Sequence, residues 1–256
     1  VGRRDEFPNI KVKGIQYYSG TQKKAQKIKA EVDGLCDICD YVESLYGYRF
    51  EVVEFGPGMR VKYFEGRKES PEKNELEVCR KALTGISYKW DLVLEIGRFL
   101  VYDCGMYFTQ VVDIKENKGK KYCIADGGIN HVTYYGQMVG TELPEMQVYR
   151  CREGVMEEIE IDQEIEDGWC LCGSLCTSSD ILVRNLPVED IQMGDMIVFK
   201  NIGAYSVTEG IYLFLSRRMP QIYLSQGTEM KLIRDADETY LLNCRDIRLK
   251  EPEQHK

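Results

Sequence analysis

Histidine is nearly missing from this chain: its 256 residues hold only His131 and His255. Imidazole is the commonest metal ligand and the usual proton carrier near neutral pH, so chemistry built on clustered histidines is excluded. A basic excess is missing as well. Asp and Glu outnumber Lys and Arg by 42 to 34, for a formal net charge of -8, and no nucleic-acid partner is expected, because such binders present a basic face or stripe. The one dense basic run, Lys23, Lys24, Lys27 and Lys29, is interrupted at helical spacing by Ala25, Ile28 and Ala30 and reads as a solvated helix face. No apolar run approaches the length that spans a bilayer, so no membrane role is expected. The opening Val1-Gly2-Arg3-Arg4-Asp5-Glu6 has charges with no apolar stretch behind them. It does not read as a secretory leader, and a cytoplasmic protein is the expectation.

Cysteine, by contrast, is plentiful. Ten residues at scattered spacings in a chain this long do not make a small secreted disulfide framework. Cys36-Asp37-Ile38-Cys39 has the spacing of half a zinc site, and Cys170, Cys172 and Cys176 form a second cluster. Yet Cys36 and Cys39 fall within the stripe Ile28, Val32, Leu35, Ile38, Val42, Leu45, whose helical period makes them small core residues in mid-helix. No metal is expected.

Two regimes follow one another along the chain. Residues 10–18 read as a strand, 21–46 as a long amphipathic helix stopped near Gly47, and 50–54 as a short strand entering Gly56-Pro57-Gly58. Residues 71–83 are helical in pattern and 91–95 form another strand, an alternation that argues for βα units around a parallel sheet. Beyond about residue 102 the helical period fades. Runs rich in Val, Ile, Tyr and Phe at 106–114, 121–125, 146–150, 195–200 and 221–224 are separated by turn formers, which argues for an all-β sandwich or barrel. The expected division is 1–102 and 103–256.

Chemistry-bearing motifs occur in one order. Gly20-Thr21-Gln22 closes the first strand. Glu54-Phe55-Gly56-Pro57-Gly58 is a strand followed by a glycine turn, where backbone N–H groups can converge on a phosphate, although Pro57 removes one donor. Glu95-Ile96-Gly97-Arg98 presents an acid and a base at a strand end. Gly173 to Asp180 places Cys176 and a carboxylate on one loop, and Gly203-Ala204-Tyr205 ends the series.

This ordered set resembles the fold-type III pyridoxal-phosphate decarboxylases, the diaminopimelate and ornithine decarboxylase family, over nearly the whole chain. The resemblance implies the carboxy-terminal half of a (β/α)8 barrel that binds pyridoxal phosphate, followed by a β-sandwich or barrel domain. It implies an amino-acid decarboxylase with Glu95 against the pyridine nitrogen and Gly56, Gly58, Gly97 and Arg98 at the phosphate. Cys176 matches the family's proton donor, delivered from the other subunit of a head-to-tail homodimer. Tyr205 matches a contact to cofactor and substrate; Asp180 and Thr177 stand on the substrate side of the Cys176 loop, and Asp180 shapes that loop.

The departures from the family pattern carry information too. Tyr18 stands where the family has a ring-stacking histidine; it can still stack but cannot share that histidine's protonation. Ile96 replaces a proline. Diaminopimelate decarboxylases have an acid after the catalytic cysteine and an arginine after their Asp-Ala-Gly-Met-Asn. Here Thr177 and, aligned from Asp126-Gly127-Gly128-Ile129-Asn130, Tyr134 occupy those places. The substrate expected is therefore an amino acid other than diaminopimelate, or an aminoacyl group tethered to a carrier protein. No lysine stands in the context of the family's cofactor-anchoring lysine; Lys11 and Lys13 read as ordinary polar strand positions. Either another segment or chain supplies that anchor, or the protein is a non-catalytic, decarboxylase-like interaction partner. An amino-acid racemase would share the architecture, but the Cys176 loop favours decarboxylation.

Overall fold

The structure, a computed structural model, describes residues 1–66, 73–134 and 140–244. It divides into two compact units, one of residues 1–62 and 66–102, the other of residues 63–65 and 103–256. His255 lies outside the described residues.

The first unit runs β1 (Gly14–Tyr18), α1 (Ala25–Tyr46), β2 (Val52–Gly56), α2 (Lys73–Ser87), β3 (Asp91–Leu94) and α3 (Arg98–Val101). The three strands are parallel in the order β1-β2-β3, with Gln16 opposite Glu54 and Glu54 opposite Val93. Side chains alternate across a strand, so the sheet has two unlike faces. Val53 and Phe55 are fully buried and pack with Ile15, Tyr17 and Leu92 against Ile28, Val32, Leu35 and Cys39 of α1 and Cys79 and Ile86 of α2. Gln16, Tyr18, Glu54 and Glu95 belong to the other face.

The cysteines of the Cys36-x-x-Cys39 motif sit inside α1, and burial pushes the Cys39 thiol up to about 11, the behaviour of a core side chain. Gly47 ends the helix in the left-handed region at φ 57°, its N–H donating to the Glu43 carbonyl. The start differs from expectation. The helix begins at Ala25 rather than Thr21, because Gln22 takes φ 58° and residues 22 and 23 bond elsewhere. The Gln22 amide pairs with both backbone groups of Val61, and the Lys23 N–H donates to the Gly58 carbonyl. Lys23 is accordingly buried, which corrects its reading as part of a solvated face. Pro71, expected to open α2, lies outside the described residues.

The second unit holds β4 (Tyr107–Asn117), β5 (Lys120–Ala125), β6 (Met146–Arg152), β7 (Val155–Ile159), β8 (Trp169–Cys172), β9 (Ile181–Leu186) and β10 (Met196–Phe199). They form one sheet in the order β7-β6-β10-β4-β5-β8-β9. Every pairing is antiparallel except β5 with β8, where Tyr122 lies opposite Cys170. The long β4 serves two ladders: Tyr107 to Gln110 pair with β10, and from Val111 onward it pairs with β5. Val111, Cys123, Val148, Leu171, Val183, Leu186 and Ile197 fill the core. A hairpin, β11 (Ile222–Gln226) and β12 (Glu229–Arg234), and a short α4 (Tyr240–Asn243) follow. Tyr134 is buried against Tyr63, Phe64 and Phe199, and its hydroxyl donates to the Lys200 carbonyl at 2.6 Å. No helix among the described residues is long and apolar enough to cross a membrane.

Candidate functional site

In a parallel sheet the carboxyl ends of neighbouring strands place their loops side by side, which is where α/β sheets bind ligands. In the first unit those loops are Ser19 to Lys24, Pro57 to Arg60, and Glu95 to Gly97. The first two touch very closely. A Cβ added to Gly58, at φ 57°, would lie 2.0 Å from the Gly20 carbonyl oxygen and 2.8 Å from Lys23 Cε. Only glycine fits there, which lets the two loops lie against each other.

The open sheet face carries the acids. Gln16 Nε2 donates to Glu95 Oε2 at 3.4 Å. A hydrogen bond with Glu95, then burial, holds the Glu54 carboxyl above its usual range. Tyr18, 53% exposed, lays its ring across Gly56, where a Cβ would come within 2.6 Å of Tyr18 Cδ2. Arg98 opens α3 and is half-buried; Gly97 has an ordinary φ of -91°.

Beneath the turn lies a group the sequence reading missed. Lys23 Nζ donates to Glu31 Oε2 at 2.7 Å, to Ser19 Oγ at 3.3 Å and to the Gly56 carbonyl at 3.3 Å, while the Ser19 hydroxyl donates to Glu31 Oε1 at 2.6 Å. Lys23 lies between the left-handed Gln22 and the start of α1, a placement that only the structure gives.

In the second unit Cys176 is exposed on the loop between β8 and β9. Asp180, 2% exposed, anchors that loop: its oxygens accept the N–H groups of Leu175 at 2.8 Å and Ile129 at 2.9 Å. Burial nevertheless raises its carboxyl above the usual range, against the pull of those two bonds. Gly173 and Gly128 lie so close that a Cβ on either would come within 2.5 Å of the carboxylate. Asp180 thus belongs to the framework of the loop, the shaping role expected of it. Thr177 is half-buried, and its hydroxyl accepts the Ser179 N–H at 3.3 Å.

Residues 126–133 join this loop to the one bearing Tyr205. Ser174 N–H donates to the Gly127 carbonyl at 2.7 Å, Thr133 N–H to Ser206 O at 2.9 Å and Ile211 N–H to Ile129 O at 3.2 Å. Tyr205 is 48% exposed at φ 65°, a left-handed conformation uncommon for an aromatic residue and of the kind that gathers at functional sites.

His131 braces the same segment. Its Nε2 lies 2.8 Å from the Arg218 carbonyl, which can only accept, so Nε2 carries the proton and Nδ1 accepts the Tyr107 hydroxyl at 2.9 Å. Burial lowers the His131 pKa below its usual 6.5. As pH falls through that range the unfolded chain therefore takes the proton first, and stability drops. Denaturant melts between about pH 7.5 and 5.5, above the carboxylate range, are expected to show this loss in the wild type and a flatter profile in His131→Gln; equal slopes would remove His131 as the cause.

Cys170 and Cys172 face each other on β8 with sulfurs 3.8 Å apart. Among the described residues no group of three or more His, Cys, Asp or Glu is placed to hold a metal ion.

Residues 36–203 match the family model for the pyridoxal-dependent decarboxylase C-terminal sheet domain. Over 235 residues the chain is 27% identical to the L-glutamyl-[BtrI acyl-carrier protein] decarboxylase of Niallia circulans, covering 86% of this chain and 52% of that protein. It is 34% identical over 139 residues to the Staphylococcus aureus 2-[(L-alanin-3-ylcarbamoyl)methyl]-2-hydroxybutanedioate decarboxylase, covering 54% of this chain and 34% of that one. Among solved structures, the diaminopimelate decarboxylase of M. jannaschii in complex with L-lysine superposes with a TM-score of 0.70 at 21% identity, over 92% of this chain and 52% of the other, a likeness of fold. The chain spans about half the length of the first of these relatives.

Proposed function

The chain belongs to the pyridoxal-dependent decarboxylases, and from that premise we propose that it forms the carboxy-terminal portion of an amino-acid decarboxylase whose substrate is not diaminopimelate. The observation that carries the reading is that Glu95 shares one sheet face with Tyr18 while the glycine turn closes the neighbouring strand. Acid, aromatic and phosphate turn are the set a pyridoxal phosphate needs. That cofactor, when bound, supplies an electron sink for the bond pair left by departing carbon dioxide.

The protein's own residues do the rest. Glu95 holds a proton at the pyridine nitrogen, with Glu54 beside it on the same sheet face. The turn at Gly56 and Gly58, with Gly97 and Arg98, receives the phosphate, and Tyr18 offers its face to the ring. Cys176 delivers a proton to Cα, and Tyr205 lines the same space, both acting across a head-to-tail homodimer. Residues 1–102 serve as the carboxy-terminal part of a (β/α)8 barrel and residues 103–256 as the β domain. The covalent anchor is a lysine outside these residues; the buried Lys23 is committed to Glu31.

The distal end of the site decides the substrate. Tyr134, at the place of an arginine, is buried with its hydroxyl spent on Lys200 O, so no cation there receives a second carboxylate. Thr177 likewise offers no charge to a second ammonium. An aminoacyl group carried on a protein thiol needs neither, and the Niallia circulans relative is named for such a substrate.

The test is carbon dioxide release by the full-length protein, loaded with pyridoxal phosphate, from meso-diaminopimelate and from carrier proteins charged with different amino acids. Release from a charged carrier and none from diaminopimelate is expected. Turnover of diaminopimelate would overturn the substrate. A protein that takes up no cofactor and releases nothing from any of them would instead be an interaction partner of decarboxylases.

A further inference from the structure

We propose that Lys23 and Glu31 are positioning residues that hold the Gly56-Pro57-Gly58 turn in its phosphate-accepting form; this rests on the reading of that turn as the cofactor's phosphate site. Both side chains are almost wholly enclosed, with 8% of Lys23 and 4% of Glu31 exposed. Burying an ion pair costs desolvation that the attraction recovers only with good geometry and further hydrogen bonds. Here those bonds run to the turn itself.

A tight turn presents carbonyl oxygens as well as N–H groups, and a carbonyl aimed outward repels an anion. Lys23 draws both glycine carbonyls inward. Its side chain takes Gly56 O at 3.3 Å, and its backbone N–H takes Gly58 O at 2.9 Å. Pro57 offers no N–H, so the direction of the remaining donors matters more than in a turn with a full set. The Gly56 carbonyl belongs to the peptide that enters Pro57, and fixing it fixes the plane on which the turn is built.

The charge count points the same way. Lys27 Nζ also lies 3.6 Å from Glu31 Oε1, so two ammonium groups meet one carboxylate. A net positive charge is left under the turn, partly screened because Lys27 is exposed. Ser19, which accepts from Lys23 and donates to Glu31, fixes the loop that follows β1 to the same pair. Lys23 Nζ also stands 5.7 Å from the centre of the Tyr18 ring, so ring and turn share one support.

A pair that merely held two loops together would affect any ligand alike. A pair that shapes a phosphate receptor distinguishes pyridoxal phosphate from pyridoxal. The measurement is equilibrium binding of each to the full-length apoprotein, with the phosphorus NMR shift of bound pyridoxal phosphate, for wild type, Lys23→Met and the double variant Lys23→Met/Glu31→Met. The double variant removes both buried charges, so it folds even where the single one, leaving Glu31 with only Ser19 and the exposed Lys27, does not. The expected result is a loss of about tenfold or more in pyridoxal phosphate affinity with pyridoxal unchanged and the phosphorus shift moved toward the free value. Equal losses for both ligands, or no loss for either, would overturn the proposal. A wild type that binds pyridoxal phosphate no better than pyridoxal overturns the phosphate reading of the turn itself, and the proposal with it.

Discussion

Gly58→Ala is expected to destabilise the first unit by about 2–4 kcal/mol and to abolish uptake of pyridoxal phosphate. Two costs combine. Alanine at φ 57° carries roughly 1–2 kcal/mol of left-handed strain. Its methyl carbon would also stand 2.0 Å from the Gly20 carbonyl oxygen, a backbone atom that cannot rotate aside. The two loops must part for it to fit, and the Lys23 N–H loses its hold on Gly58 O as they do. Gly47 provides the control: it too has φ 57°, but nothing lies within 4 Å of its Cβ position. Gly47→Ala reports strain alone. Urea denaturation of both variants separates the close approach from the backbone cost, and equal midpoints would show that the loops yield freely.

Asp180→Ala should produce a loss of similar size, about 2–5 kcal/mol, in the second unit. The carboxylate accepts two N–H groups in a place that water does not reach, and each buried donor left without a partner costs about 1–3 kcal/mol. Alanine strands both. Asparagine is expected to fall between, because its oxygen can serve one donor while its amide opposes the other. The Cys176 loop registers the change directly, since the Leu175 N–H held by Asp180 lies next to that cysteine. Site-resolved labelling should therefore show altered Cys176 reactivity in the variant, with Cys104 and Cys151, also exposed, as internal references. Unchanged stability and labelling would deny Asp180 its anchoring role.

What could be read without coordinates followed from local pattern. The apolar stripe of α1 and its stop at Gly47 are one-dimensional signals, as is the alternation along β4, where Tyr107, Thr109 and Val111 turn inward. Strand β7 escaped because all but its last residue are exposed and no alternation marks it. Strand β8 escaped because Trp169-Cys170-Leu171-Cys172 resembled a thiol cluster more than a strand. The site divided in the same way. Glu95, Gly56 and Cys176 stood in recognisable strings. The Gly20–Gly58 approach and the Lys23–Glu31 pair join residues from separate loops, and no periodicity announces such a contact. Lys23 was misjudged for the converse reason: its neighbours Lys24, Lys27 and Lys29 do face water, and composition cannot tell one lysine of a run from the next.

The parallel pairing of β5 with β8 bears on how the second unit acquires its form. Tyr122 must find Cys170 across an intervening segment that includes β6, β7 and residues 126–133, and Met196 of β10 must find Gln110 of β4 across a longer one. Contacts so distant in sequence are costly in chain entropy and form slowly. The turn bearing Cys176 comes directly after β8 and is held by Ile129 through Asp180. It therefore cannot mature before that closure. During synthesis the Cys176 loop takes its form only once β8 has reached β5 and Asp180 has followed it out, while β9 and β10 are still to be added to the sheet.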